Sequence, residues 1–174
     1  PPVFTLGTSL KNSILPIKGI PCINTDRGGK ITYHGPGQLV GYPLIDLRKN
    51  DLYPKELLEL INQMVLSVMR KFGVKGLLVP EAPGIYVSKP GGANQFFNLA
   101  KICSIGLKIS NHCSYHGFAL NVSANLEPFS YITPCGYEGL RVANLNEFAQ
   151  NATLESTKRV LVEIIKEQFS EKRN

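Results

Sequence analysis

A cysteine set between a proline and a glycine, in Thr133-Pro134-Cys135-Gly136-Tyr137, has the local chemistry of a nucleophile. Proline fixes φ and glycine tolerates any φ, so the pair holds a thiol on a tight turn, whereas a packing cysteine sits inside a periodic apolar run. On local sequence alone the plainer reading, a buried spectator thiol, leads. A thiol nucleophile needs a base, and Lys101 opens the alternating segment Lys101-Ile102-Cys103-Ser104-Ile105-Gly106-Leu107-Lys108-Ile109. By two-residue parity Lys101, Cys103, Ile105, Leu107 and Ile109 share one face, which directs Lys101 toward the apolar side. Desolvation lowers the pKa of a lysine toward that of a general base; the alternative is a strand-end lysine whose amine reaches water.

The third chemical stretch is Arg27-Gly28-Gly29-Lys30-Ile31-Thr32-Tyr33-His34-Gly35-Pro36-Gly37-Gln38. Its four glycines let backbone approach a ligand closely while Arg, Thr, Tyr and His orient it, unless the stretch is a Gly-rich hairpin with a satisfied histidine. No Gly-Lys-Ser/Thr follows at P-loop spacing and no GxGxxG is present, so nothing here supports nucleotide binding. Cys22, Cys103, Cys113 and Cys135 form no CxxC pair and no Cys/His ligand cluster, so no metal site is expected. They read as reduced thiols of a cytoplasmic protein.

The elements that must position these residues belong to one domain, residues 1–174, with no repeat or linker. Val3-Phe4-Thr5-Leu6 reads as a strand, as do Ile20 to Asn24 and Gln38 to Leu47, where Pro43 indicates an edge or bulge. Pro54 starts an amphipathic helix whose Leu57, Leu58, Ile61, Val65, Val68 and Phe72 recur at three- and four-residue intervals, ending at Gly73; Met64 and Met69 are core filler. Strands follow at Leu77 to Val79 and Gly84 to Val87, with Pro80-Glu81-Ala82-Pro83 a stiff turn. Ser88 to Asn98 reads as a mobile hairpin loop, with Phe96 and Phe97 forming a lid or one of them folding back on the core. Ser114 to Val122 pairs antiparallel with the Lys101 strand across Ser110 to Cys113, and Val160, Leu161, Ile164, Ile165 and Phe169 give a closing helix capped within Asn151 to Thr153. The tail from Glu171 to Asn174 is polar.

The chain carries +6, and residues 1–50 hold Lys11, Lys18, Arg27, Lys30, Arg48 and Lys49 against only Asp26 and Asp46. A basic face steers acidic partners. Zinc-finger spacing, an RNP-type aromatic strand and a dense Arg/Lys helix are all missing, so nucleic acid is not expected and an acidic protein partner fits at least as well. No apolar run reaches membrane-spanning length.

In combination, Arg27-Gly28-Gly29-x-x-Thr32-Tyr33-His34-Gly35-Pro36-Gly37-Gln38, Lys101-Ile102-Cys103-Ser104-Ile105-Gly106, Tyr115-His116-Gly117-Phe118-Ala119-Leu120-Asn121 and Pro134-Cys135-Gly136 closely resemble the octanoyl transferase family of lipoate biosynthesis over nearly the whole chain. The resemblance implies an α/β (α+β-like) single domain of mixed β-sheets with helices packed outside, as in biotin and lipoate protein ligases. It implies transfer of an octanoyl group from the phosphopantetheine of acyl carrier protein to a lysine of a lipoyl domain, on 2-oxoacid dehydrogenase complexes or the glycine cleavage H protein. Cys135 would be the acylated nucleophile and Lys101 the residue that lowers its pKa. Arg27, Gly28, Gly29, Lys30, Ile31, Thr32, Tyr33 and His34, with Ser104, Ile105, Gly106, Gly117, Phe118 and Ala119, would line the substrate site. The resemblance also implies no ATP and no metal, and a monomer. Family members carry a strand and helix ahead of the motif that begins here at Pro2, so the chain reads as lacking them, and the loop from Ser88 to Ala100 reads as longer than in the family.

Such chemistry needs no strong acid, because the leaving group of a thioester is itself a thiolate. Lys101 would take the thiol proton and later that of the acceptor lysine, with His34 and His116 positioning substrate or structure. Backbone N–H groups near Cys135 or around Ser104 to Gly106 would hold the oxyanion. The alternatives are an ATP-dependent lipoate or biotin ligase, a Cys/His thioester hydrolase, and a non-enzymatic binder of acidic proteins.

Overall fold

In the computed structural model, which describes residues 1–10 and 15–171 with the side chains of Asn94, Cys135, Phe169, Ser170 and Glu171 apart, the segment opened by Lys101 is the longest strand. Lys11 and residues 172–174 lie outside the described residues. Strands β1 (Val3–Leu6), β2 (Cys22–Asn24) and β3 (Ile31–His34) make a small sheet of order β2-β1-β3, with β1 parallel to β2 and antiparallel to β3. The larger sheet runs β4 (Gln38–Gly41), β8 (Cys113–Asn121), β7 (Leu99–Ser110), β6 (Ala82–Ser88), β5 (Leu77–Val79), with β9 (Arg141–Val142) parallel to β7. Helices α1 (Pro54–Lys71) and α2 (Leu154–Glu171) pack together over one face of it. The mixed α/β class with outer helices is the one expected.

Helix α1 begins where the Tyr53 N–H donates to Glu56 Oε2 (2.7 Å) and Pro54 supplies a preset φ, and it stops at Gly73, φ +74°. Its stripe Leu57, Ile61, Val65, Val68 and Met69 is buried against Ile85, Ile102, Cys103 and Leu120 of the sheet. Each such side chain contributes about 1.5–3 kcal/mol on leaving water. Helix α2 is capped by Thr153, whose Oγ1 accepts from the Ser156 N–H (3.1 Å). The β7–β8 hairpin turns on Asn111 and His112, both at positive φ (+48° and +62°), the backbone a tight two-residue turn requires.

The strand ending at Asn24 starts only at Cys22, because Ile20 is held in a bridge to Ile17. The strand expected from Gln38 to Leu47 stops at Gly41; Pro43 has no N–H to offer, and the chain rejoins β8 through the Ser114 N–H, which donates to Ile45 O (2.9 Å). Ile31 to His34 is strand, and Gly35-Pro36-Gly37 carries the chain from one sheet to the other, so the Gly-rich stretch is not a hairpin. The stiff turn narrows to Pro80-Glu81, with Ala82 already paired to Val79. Of the loop aromatics, Phe96 is buried while Phe97 is exposed, and the loop is tied down by an ion pair between Lys89 and Glu147 (2.5 Å) and by the Arg141 guanidinium, which donates to Lys89 O (2.5 Å).

Tyr86 pairs with Lys101 but its neighbour Ile85 pairs with Cys103, so β7 carries one extra residue there. Such a bulge lets two successive residues point the same way. Ile102 and Cys103 both enter the helix-side core, and Lys101 falls on the opposite face with Leu99 and Tyr86. Lys101 therefore does not share a face with Cys103 and Ile105; it shares one with Ser104 and Gly106.

Candidate functional site

A cavity of about 720 Å³ lies between the two sheets, within the size range of small-ligand sites. Val3 and Thr5 of β1 and Thr32 and His34 of β3 face it, while the intervening Phe4 and Tyr33 turn away into a cluster with Phe129. Arg27, Gly28, Gly29, Lys30 and Ile31 form one wall; Ser104, Ile105, Gly106, Gly117, Phe118 and Ala119 form another. Of the residues named as substrate-lining, only Tyr33 does not reach the cavity: strand alternation buries its ring, which meets Phe129 edge-on at 5.5 Å. Sequence reading passed over Thr5, Tyr42, Leu58, Pro83 and Tyr137, which also line it. Parity within Val3-Phe4-Thr5-Leu6 carried the signal for Thr5; Pro83 and Tyr137 had no local one.

Beyond Cys103, β7 has no pairing to β6, and the Gly28 N–H occupies that edge by donating to Leu107 O (3.0 Å). Gly106 permits the approach, since a Cβ there would stand 3.0 Å from Gly28 O and 3.2 Å from Arg27 Cδ. The apolar lining from Ile105, Leu107, Ile109 and Leu58 follows this edge, a surface suited to an alkyl chain. The Arg27 guanidinium is a strut: it donates to Thr5 O (2.6 Å), Thr5 Oγ1 (2.9 Å), Gly28 O (2.9 Å) and Lys30 O (2.8 Å), fixing the loop to β1.

At the rim, Asp26 receives Lys108 Nζ (2.5 Å) and contacts His116 Nε2 (2.6 Å). The Lys108 hydrogen bond, then that of His116, holds the Asp26 carboxyl down to about 2. Deeper in, burial lowers the pKa of His34, opposed by its hydrogen bond to Gln38 and reinforced by the Arg27 charge, so the ring is neutral at pH 7.

Lys101 is 2 % exposed, and its Nζ donates to Pro83 O (2.7 Å) while standing 5.4 Å from the centre of the Tyr86 ring. Two residues back along the same hairpin, Glu81 O accepts from the Tyr137 hydroxyl (2.9 Å). Tyr86 stacks on Phe96 (5.6 Å) and Phe96 meets Tyr137 edge-on (5.0 Å). The Glu81 and Pro83 carbonyls and the Tyr86-Phe96-Tyr137 row thus connect the surroundings of the lysine amine to Tyr137, two residues after Cys135. Cys135 itself occupies a 3-10 turn, Pro134–Gly136, which packs on β3. Gly136 sits at φ +76° under the Lys30 side chain, whose Cε a Cβ would approach to 2.9 Å. The N–H groups of Gly136 and Tyr137 close the turn, donating to Thr133 O (2.9 Å) and Pro134 O (3.1 Å). Cys103 is no rival nucleophile: burial pushes its thiol up to about 12 despite the neighbouring Lys101.

Residues 1–166 match the model of the lipoyl protein ligase A/B catalytic domain. The chain is 45% identical over 174 residues to an octanoyltransferase of Variovorax paradoxus, covering 92% of this chain and 76% of that protein. It is 42% identical over 175 residues to an octanoyltransferase of Photorhabdus laumondii, covering 100% and 78%. In fold it is similar to an archaeal bipartite lipoate protein ligase from Thermoplasma acidophilum, with a TM-score of 0.70 at 14% identity over 97% of this chain and 68% of that one.

Proposed function

We propose that this chain, which belongs to the lipoyl protein ligase A/B catalytic-domain family and is an octanoyltransferase of protein lipoylation, works through an acyl-enzyme on Cys135. In the first half-reaction Lys101 takes the Cys135 thiol proton, and the thiolate attacks the thioester carbonyl of octanoyl-acyl carrier protein. The phosphopantetheine sulfur leaves and takes a proton back from Lys101. In the second, a lysine of a lipoyl domain attacks the acyl-enzyme and the octanoyl group becomes an amide. The octanoyl carbonyl arrives already activated as a thioester, so the route uses neither ATP nor a metal.

The observation that carries this reading is the placement of Lys101. A lysine almost wholly out of water, with its amine bonded to Pro83 O at the cavity wall, supports a role in proton transfer. Thr32, His34, Ser104, Gly106 and Ala119 would surround the reacting thioester, and Ile105, Leu107 and Leu58 the alkyl chain. The rim basic residues Lys30 and Lys108 would meet acidic carrier and acceptor proteins. The free thiols of Cys22, Cys103 and Cys113 support a reducing, cytoplasmic setting, and no helix among the described residues is long and apolar enough to cross a membrane.

Intact-mass analysis with octanoyl-acyl carrier protein tests the reading. An octanoyl adduct on Cys135 is expected, and a lipoyl domain should remove it; free octanoate without a lipoyl domain would indicate a hydrolase instead. Lys101→Met preserves volume in an apolar setting, so the fold is retained while acylation slows by about a hundredfold or more. Acylation of Lys101→Met at the wild-type rate refutes the dyad.

A further inference from the structure

A buried amide chain leads from the cavity into the core, and it fixes which nitrogen of His34 carries the proton. Gln38 and Asn121 are both buried. Gln38 Nε2 donates to Tyr33 O (3.0 Å) and to Asn121 Oδ1 (2.9 Å), and Asn121 Nδ2 donates to Ala143 O (3.3 Å). Tyr33 O and Ala143 O are backbone carbonyls that can only accept, so each anchors the amino end of one side-chain amide. Gln38 Oε1 is thereby left as an acceptor facing His34 Nδ1 at 3.1 Å, and a neutral imidazole makes that bond only when Nδ1 carries the hydrogen. Nε2 then holds a lone pair, has no hydrogen-bond partner among the described residues, and belongs to a ring that lines the cavity.

Building on the acyl-enzyme reading, we infer that His34 Nε2 is the base that deprotonates the acceptor lysine in the second half-reaction, with Gln38 and Asn121 as positioning residues that hold its tautomer. The incoming amine is an ammonium in water and cannot attack until it loses a proton. Lys101 donates to Pro83 O and is not part of the cavity lining, whereas the His34 ring lines the cavity. As the C–N bond forms and the C–S bond breaks, the three ammonium protons divide: one passes through His34 Nε2 to water, one goes to the Cys135 sulfur, and one stays on the amide. Labour is therefore split, with Lys101 serving the thiol and His34 the amine. The charged and titratable groups bordering the same cavity are Arg27 and Lys30 on the loop, His116 on β8, Tyr42 after β4, and Tyr137 after the Cys135 turn; Asp26 sits at the rim.

The test separates the half-reactions. Pre-formed octanoyl-enzyme is mixed with a lipoyl domain and its clearance followed by mass across pH, and acyl-enzyme formation is measured alongside. Wild-type clearance should rise with pH through a titration below the ordinary histidine range and then level off. His34→Gln should lose that limb, with clearance slowed at least about tenfold beyond any change in formation. Gln38→Glu still accepts from Nδ1 but favours the imidazolium, so its limb should move to higher pH, which a merely structural Gln38 would not produce. Because either variant could fail to fold, long-range 1H–15N correlation on histidine-labelled wild-type protein provides a mutation-free readout and should show the Nδ1–H tautomer at His34. An Nε2–H tautomer, or His34→Gln clearing with wild-type rate and pH course, overturns the inference. If the wild type forms no adduct at all, it is the acyl-enzyme reading that has failed.

Discussion

Replacing Gly84 with alanine tests the placement of Lys101 without touching a reacting group. Gly84 lies in β6 at φ +127°, a backbone that L-residues rarely adopt, and its bare Cα faces Lys101. A methyl there would stand 2.5 Å from Cys103 O and 3.0 Å from Lys101 Nζ, and closer still to Lys101 Cε. Comfortable non-bonded contacts begin at about 3.5 Å. The Cys103 carbonyl is held in β7, which is paired there to both β6 and β8, so it cannot retreat; the lysine side chain can. Backbone strain of about 1–2 kcal/mol and overpacking of about 1–3 kcal/mol together predict destabilisation of about 2–5 kcal/mol. The displaced amine leaves Pro83 O, and acylation by octanoyl-acyl carrier protein should fall by about a hundredfold per folded molecule. Gly73→Ala is the matched control, because Gly73 also has positive φ (+74°) but a methyl there meets nothing within 4 Å. It should cost about 1 kcal/mol and leave acylation per folded molecule intact. Urea unfolding gives the stability of each variant, and single-turnover adduct formation gives the rate at a temperature where both are folded. Gly84→Ala acylating like Gly73→Ala would refute the placement argument.

Two further outcomes follow from the brace and the rim. Phe96→Ala removes the ring between Tyr86 and Tyr137 and should cost about 3–5 kcal/mol in urea unfolding, whereas Phe97→Ala, at 63 % exposed, should change stability by less than about 0.5 kcal/mol. Asp26 has its pKa depressed from 3.8 to about 2, so its pairing stabilises the fold fully above about pH 4 and loses that contribution as pH falls toward 2. The stability difference between wild type and Asp26→Asn should therefore be constant from neutral pH to about 4 and close near pH 2; a gap that persists below pH 2 contradicts the assignment.

Residue pattern alone carried α1, since its apolar stripe, Pro54 and Gly73 all agree on one element, and it carried the β7–β8 hairpin through alternation on both sides of a short turn. What it missed has identifiable physical causes. The β7 bulge has no glycine to announce it, so simple parity put Lys101 on the wrong face. Strand β9 is two residues long and exists only because β7 offers an edge there. Tyr33 sits in a motif whose neighbours line the cavity, and only the recognition that Ile31 to His34 is strand assigns it to the core. The loop from Ser88 to Asn98 looked mobile by composition, yet Phe96 is one of the rings that brace Lys101, a contact between residues far apart in sequence. The motifs themselves did gather Arg27 to Thr32, His34, Ser104 to Gly106 and Gly117 to Ala119 around one cavity.

The extra residue in β7 makes the orientation of Lys101 a discrete property of the chain. A side chain on a strand points to one side or the other, with no stable halfway position. Deleting Ile102 would restore regular pleating between Ala100 and Ser104 and leave Lys101 on the cavity side, whereas keeping Ile102 but flattening the bulge, with Ser104 and Gly106 held on the cavity side, would swing residue 101 into the helix-side core. No rotamer change, loop adjustment or neighbouring substitution could then recover the amine. A regularly pleated chain one residue shorter between Lys101 and Ser104 should for that reason keep the amine on the cavity side, and one a residue longer that retains the bulge should turn it toward the core.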